Sequence, residues 1–387
     1  MKKNLIKFFK YTAYGNDYIV IDPKFFNRIF LSECDIYATP WFECLPYRKG
    51  SKFVKKSEID HREKTQRLLD VKDKIKAMCD RNFGIGSDGI LLGPLFCDSI
   101  NLFFNNLKDS NLMSIKDIAS SIDKINNEIS IWFSNSNNTD FKNQDKNSKN
   151  ITIGKKIPFL RIFNSDGSEA EKSGNGLRIF SQYLKDSFYL KNLQKFGDKY
   201  LIITAGGLAE IKYEEDDFIS ISMGKAYFNI KNLDIKLPDY ISKELKDDLA
   251  LDIPFEFEGF KLLGNFCSVG NPHCVFFVNN LDEQFTRNYG SKIENHIYFP
   301  CKTNVQFVKV IDRKNISIQI YERGSGYTLS SGSSASAAAS VAYKKGLVEN
   351  NVKVHMPGGI IEIMIKDDFT VFQKGKANIV FEGCYYL

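Results

Sequence analysis

The chain has 387 residues, 43% of them hydrophobic and 26% charged, with a formal net charge of +6. It is long enough for two domains with proper cores and ordinary in balance for a soluble globular protein. The positive excess forms no long basic block or recognition motif, which argues against nucleic acid as a partner, and no run approaches the roughly 18 apolar residues of a membrane span.

The first ten residues, Met1 to Lys10, carry the charge of a signal segment, but Lys7 and Lys10 interrupt the apolar run and no small-residue cleavage site follows. A cytoplasmic protein is the expectation. Strands are predicted at Tyr18–Ile21, Leu201–Thr204, Cys274–Val278 and Ile316–Ile320, β-branched and aromatic runs bounded by turn residues. The clearest helices run from Gly176 to Leu184 and from Ala335 to Lys345. Residues 24–76 and 94–158 read as insertions, with 134–152 a mobile surface loop because its Asn- and Lys-rich composition buries too little apolar surface to order itself. Residues 225–250 are a weaker, partly helical third candidate. Eight cysteines without CxxC spacing are expected as reduced thiols. The four histidines show no metal-ligand spacing, so no metal is expected.

An internal echo organises the rest. Asp166 to Gly174 and Gly324 to Gly332 share one plan: turn, polar approach, serine, glycine, helix. One copy per half predicts an α/β (α+β) chain of two pseudo-symmetric domains, each a mixed or antiparallel sheet wrapped around a central helix, with a cleft between them. The expected boundaries are 1–222 and 223–374, with the tail 375–387 returning to the first half. Ser173 and Ser331 would then sit at two helix N-termini, placed as the acid and base of a proton transfer, although serine is also a good plain N-cap.

The motifs resemble a family. Tyr14-Gly15-Asn16-Asp17-Tyr18-Ile19-Val20-Ile21-Asp22 is similar to the N-terminal strand and turn of diaminopimelate epimerases, and Cys79 to Gly89 to their second signature. Arg161 to Glu171 running into Ser173-Gly174-Asn175-Gly176 resembles the loop of the first catalytic cysteine. Val269 to Val275, Thr303 to Phe307, Glu322 to Gly326 before Ser331, and the tail from Met356 to Gly383 also match, in order and near both ends. The resemblance implies that family's fold and a cofactor-free amino-acid epimerase. One thiolate removes the α-proton, and a thiol on the opposite face returns it. By the same resemblance Ser173 and Ser331 are the proton-handling residues. Asn16, Asn164, Asn175, Asn271 and Asn304 line the substrate, Glu322 and Arg323 lie near its polar groups, and Gly174, Gly332 and Ser333 offer backbone or hydroxyl donors. His273 is open between a buried hydrogen bond and a functional role, while Arg81, Asp88 and the Gly84–Gly86 turn are read as structural. The expected partner is a small amino-acid substrate, with neither nucleic acid nor membrane, and a homodimer is the assembly to test.

The chain departs from that pattern where it matters most. Serines replace both cysteines. If a hydroxyl lies about five pKa units above a thiol, reaching the basic form costs roughly 7 kcal/mol more, on the order of a 10⁵-fold loss in rate without compensation. In sequence, Lys172 is the one titratable immediate neighbour of either serine. Tyr327 stands where the family has glutamate, Ser330 and Ser334 where it has alanine and glycine, and Thr12 where it has an imidazole or amide. Changes clustered in one loop point to natural divergence, and the loss of an acid at Tyr327 raises the question of substrate. Three readings follow: an isomerase of diaminopimelate or a related amino acid, a non-catalytic relative that keeps the ligand cleft, and a racemase or dehydratase of another small amino acid.

Overall fold

The structure, a computed structural model, describes residues 5–25, 48–49, 52–53, 72–95, 157–193, 195–257 and 260–386. Most of the two segments read as insertions, and all of the loop read at 134–152, lie outside these residues. The third candidate is ordered. Ile230, Leu233, Ile235, Leu237 and Ile241 pack against an aromatic cluster that includes Phe255, Phe266, Phe276 and Phe307.

The first half builds outward from strands β1 (Leu5–Ala13), β2 (Asn16–Ile21), β3 (Gly89–Leu95), β4 (Phe159–Asn164), β5 (Lys199–Thr204), β6 (Gly207–Tyr213) and β7 (Ile219–Lys225). The second uses β8 (Ile253–Phe257), β9 (Phe260–Ser268), β10 (Pro272–Phe277), β11 (Asn304–Asp312), β12 (Asn315–Glu322), β13 (Asn351–Met356), β14 (Gly359–Ile365) and β15 (Thr370–Gly375). The final strand, β16 (Asn378–Tyr386), pairs antiparallel with β1. One continuous hydrogen-bonded order results: β16-β1-β2-β3-β4-β5-β6-β7-β15-β14-β13-β12-β11-β10-β9-β8. The β7–β15 pairing joins the two series.

Of the helices, α1 spans 72–79, α2 Gly174–Asp186, α3 Glu283–Glu294 and α4 Gly332–Lys344. Helices α2 and α4 are central because almost all of each is buried, polar residues such as Arg178 and Ser336 included. Leu177, Ile179, Phe180 and Tyr183 of α2 and Ala335, Ala337, Ala338, Ala339 and Val341 of α4 are each 0% exposed and share one core cluster. The alanines let strands approach α4 closely. Burying a side chain such as Leu177 is worth about 1.5–3 kcal/mol.

Period-2 alternation decides which strand residues face these helices. In β12, Ile316, Ile318 and Ile320 are buried beside α4 in the shared cluster, whereas Tyr321 packs with the aromatic cluster on the other face. Register then aligns site positions across strands. Tyr18 pairs with Gly89, Gly89 with Asn164, and His273 with Asn304. The Gly84–Gly86 segment is a turn closing α1, the Ile85 and Gly86 N–H groups donating to Met78 O at 2.9 and 3.1 Å.

Candidate active site

Ser173 and Ser331 occupy equivalent places at the starts of α2 and α4. Both have extended backbones, and their hydroxyls accept the Gly176 N–H at 3.0 Å and the Ser334 N–H at 3.3 Å. Each is therefore a true N-cap. Capping uses one lone pair of each hydroxyl and leaves the proton and the other lone pair available.

The two helix starts close on one glutamine. Gln373, fully buried at an inward position of β15, donates to Gly332 O at 2.6 Å and Ser336 Oγ at 2.9 Å. It accepts from Arg178 at 3.0 Å. A Cβ on Gly174 would lie 2.5 Å from Gln373 Oε1, and one on Gly332 would lie 2.7 Å from it. Glycine is needed at both positions for close approach. Asn175 ties the loops together, donating to Ser330 Oγ at 3.2 Å and accepting from Arg178 at 2.9 Å.

Arg178 is fully buried, with the Tyr14 ring 5.6 Å from its guanidinium and no carboxylate paired to it among the described residues. Desolvation lowers its pKa to about 10, so it stays charged at neutral pH. A buried cation thus stands behind two helix N-termini, whose free N–H groups and dipoles already favour an anion. The sequence reading missed both Arg178 and Gln373. The available signal was a long polar side chain at an inward position of an apolar helix and strand.

Each serine also has a titratable side chain from a strand beside it, the one at Ser173 coming from 155 positions away. Ser331 has the half-buried Glu322 carboxylate beside it, close enough for its hydroxyl to act on the carboxyl pKa. Desolvation raises the Glu322 pKa, the Ser331 hydroxyl opposes that, and the Asp88 charge adds to the rise. Ser173 Oγ lies 3.3 Å from the Tyr18 hydroxyl. Burial pushes the Tyr18 phenol well above its ordinary value. Lys172, the neighbour in sequence, points its ammonium at Leu208 O, 3.4 Å away.

The remaining residues singled out from sequence are mostly held by protein partners. Asn16 donates to Asp88 at 2.6 Å, and Arg81 bridges Asp17 and Asp88, in keeping with a structural reading of Arg81 and Asp88. Asn164 is exposed and donates to Ser168 Oγ at 2.9 Å, within its own turn. Buried Asn304 donates to Pro272 O at 2.8 Å and accepts the Arg323 N–H at 3.0 Å, so its amide fixes the Glu322-Arg323 turn. The exposed Arg323 guanidinium reaches Cys301 O at 3.3 Å, and Ser333 Oγ is 3.4 Å from Ser331 Oγ.

Tyr327 is engaged on the α3 side of β12. Its hydroxyl donates to Gln319 at 2.6 Å and the Arg287 guanidinium lies 4.2 Å from its ring centre.

His273 is buried between Asn271 Oδ1 at 2.8 Å and Gln306 Nε2 at 3.1 Å. Gln306 donates to Nδ1, so Nε2 carries the proton and donates to Asn271. Desolvation lowers its pKa to about 3, against an ordinary 6.5. Between those values the unfolded chain binds a proton that the folded chain does not. This contribution to stability is complete above pH 6.5 and declines as pH falls below it, by about 1.4 kcal/mol per unit. Urea unfolding at pH 7, 6 and 5 should show this decline in the wild type and a shallower one in His273→Gln; equal slopes would contradict it.

This arrangement has known relatives. The sequence profile described as diaminopimelate epimerase matches residues 134–229 and 266–380. "Diaminopimelate epimerase 2" of Nostoc sp. (strain PCC 7120) is 36% identical over 382 residues, spanning 98% of this chain and 95% of that protein. The alignment therefore runs through the segments read as insertions. The diaminopimelate epimerase of Methanocaldococcus jannaschii is 40% identical over 236 residues, 58% of this chain and 77% of its own. Among solved structures, a hydroxyproline epimerase from Agrobacterium vitis with bound trans-4-hydroxy-L-proline superposes with a TM-score of 0.54 at 10% identity, covering 100% of this chain and 94% of that one. At that identity the likeness is one of fold alone. The chain belongs to the diaminopimelate epimerase family.

Proposed function

We propose that the protein inverts the α-carbon of diaminopimelate, or of a closely related amino acid, by cofactor-free two-base proton transfer between Ser331 and Ser173. The observation that supports this reading is the pair of serines at the N-termini of α2 and α4, with the Glu322 carboxylate beside Ser331. A free alkoxide is then not required, because Ser331 passes its proton to Glu322 as it takes the α-proton. A positioned base of this kind contributes about 10²–10⁴-fold, which offsets much of the loss that replacing a thiol entails. The two helix N-termini would hold the substrate carboxylate, and the buried Arg178 charge behind them would favour the negative charge that develops there.

The test is deuterium uptake at Cα of diaminopimelate in D₂O, with product configuration followed by chiral chromatography. The wild-type chain should exchange and invert. Ser173→Cys combined with Ser331→Cys should be faster, by on the order of 10²-fold or more. No exchange by either protein sinks the proposal. A second reading, a non-catalytic relative that keeps the ligand site, is favoured by the capping bonds at both serines. Exchange by the double-cysteine variant alone would support it.

A further inference from the structure

The two serines differ in what donates to what. Ser331 accepts from the Ser334 N–H and keeps one lone pair, and because an ionised carboxylate only accepts, its proton can turn toward the neighbouring Glu322. The Ser333 hydroxyl, 3.4 Å from Ser331 Oγ, is the other side-chain neighbour of that hydroxyl. Ser173 accepts from the Gly176 N–H and faces the Tyr18 hydroxyl at 3.3 Å. Tyr18 is 6% exposed, and its ring is fixed over Gly89, where an added Cβ would come within 2.7 Å of Cε1. Were Ser173 the donor, the Tyr18 proton would be buried without an acceptor, a loss of about 1–3 kcal/mol. Both groups are satisfied when Tyr18 donates to Ser173. The Ser173 proton is then free.

We propose that Tyr18 is a positioning residue that makes Ser173 the proton-delivering face of the site, opposite the proton-accepting face formed by Ser331 and Glu322. The inference rests on the two-base reading above. In the step, Ser331 Oγ takes the α-hydrogen as a proton while its own hydroxyl proton moves to Glu322. The C–H electron pair stays on Cα, forms the new bond to the Ser173 proton on the opposite face, and Ser173 is reprotonated by Tyr18. One proton has moved from Tyr18 to Glu322, and exchange with water restores both.

The experiment follows diaminopimelate in D₂O and separates inversion from deuterium uptake with retained configuration. In Tyr18→Phe the carbanion still forms at the Ser331 face but is reprotonated poorly from Ser173. Inversion should fall roughly 10²-fold, while uptake with retention persists and becomes the main product. Ser173→Ala should shift the ratio the same way, and adding Tyr18→Phe to it should change the ratio no further. A purely structural role would lower both rates together. Replacing Tyr18 by 3-fluorotyrosine, a stronger acid of the same shape, should raise the share of inversion, and it covers the case in which Tyr18→Phe does not fold. A wild-type inversion-to-retention ratio in both Tyr18 variants overturns the inference alone. No exchange by the wild type overturns the two-base reading and this inference with it.

Discussion

Glu322→Gln is expected to lower α-proton exchange by about 10²–10⁴-fold without weakening the fold. Glutamine is nearly isosteric and its carbonyl can still accept the Ser331 hydroxyl, but it cannot take the proton. The stability side has a definite sign. Desolvation raises the Glu322 pKa in the folded chain, so the charged form is disfavoured by folding near neutral pH. Removing the charge should leave the unfolding midpoint unchanged or move it slightly upward. The pair of measurements is deuterium uptake at Cα and the urea midpoint at pH 7. Wild-type exchange in Glu322→Gln would remove the carboxylate from the mechanism, and a collapsed midpoint would make it a structural residue.

Gln373→Leu is expected to destabilise the protein by about 3–5 kcal/mol, the range for removing one partner of a buried charged network. The glutamine holds Arg178, the Gly332 carbonyl and Ser336 together, and Arg178 Nε already has no hydrogen-bond partner. Leucine fills similar space but leaves a buried cation with only Asn175 and the Tyr14 ring. The double change Gln373→Leu with Arg178→Met should recover much of that loss, because the uncompensated charge goes too. Urea unfolding of the two variants checks this. A single variant within about 1 kcal/mol of wild type would mean that the network does not hold the two helix starts together.

Local order made part of this readable beforehand. The runs at Tyr18–Ile21 and Ile316–Ile320 are strands because their residues fit a pleated surface with alternate faces. Helices α2 and α4 follow their serines because a serine N-cap, a glycine and an apolar run is a start signal legible within a few residues. Those helices begin at Gly174 and Gly332, slightly ahead of the expected Gly176 and Ala335. The side of the sheet that Tyr327 takes was not legible, because the position of one residue in a motif says nothing of which face of a strand its side chain takes.

The sequence by itself determined the family, the two serine-capped helices and the residues gathered around them, since each is written in contiguous motifs whose physics is local. What it left undecided was whether a base stands beside either serine, for Lys172 was the only neighbour along the chain. Only the tertiary structure brought Glu322 to Ser331 and Tyr18 to Ser173, and set Gln373 between Gly174 and Gly332. Those partners are separated in sequence by as many as 199 positions, Gly174 to Gln373. Sheet register and burial bring them together, and the same burial that raises the Glu322 pKa gives the site its base.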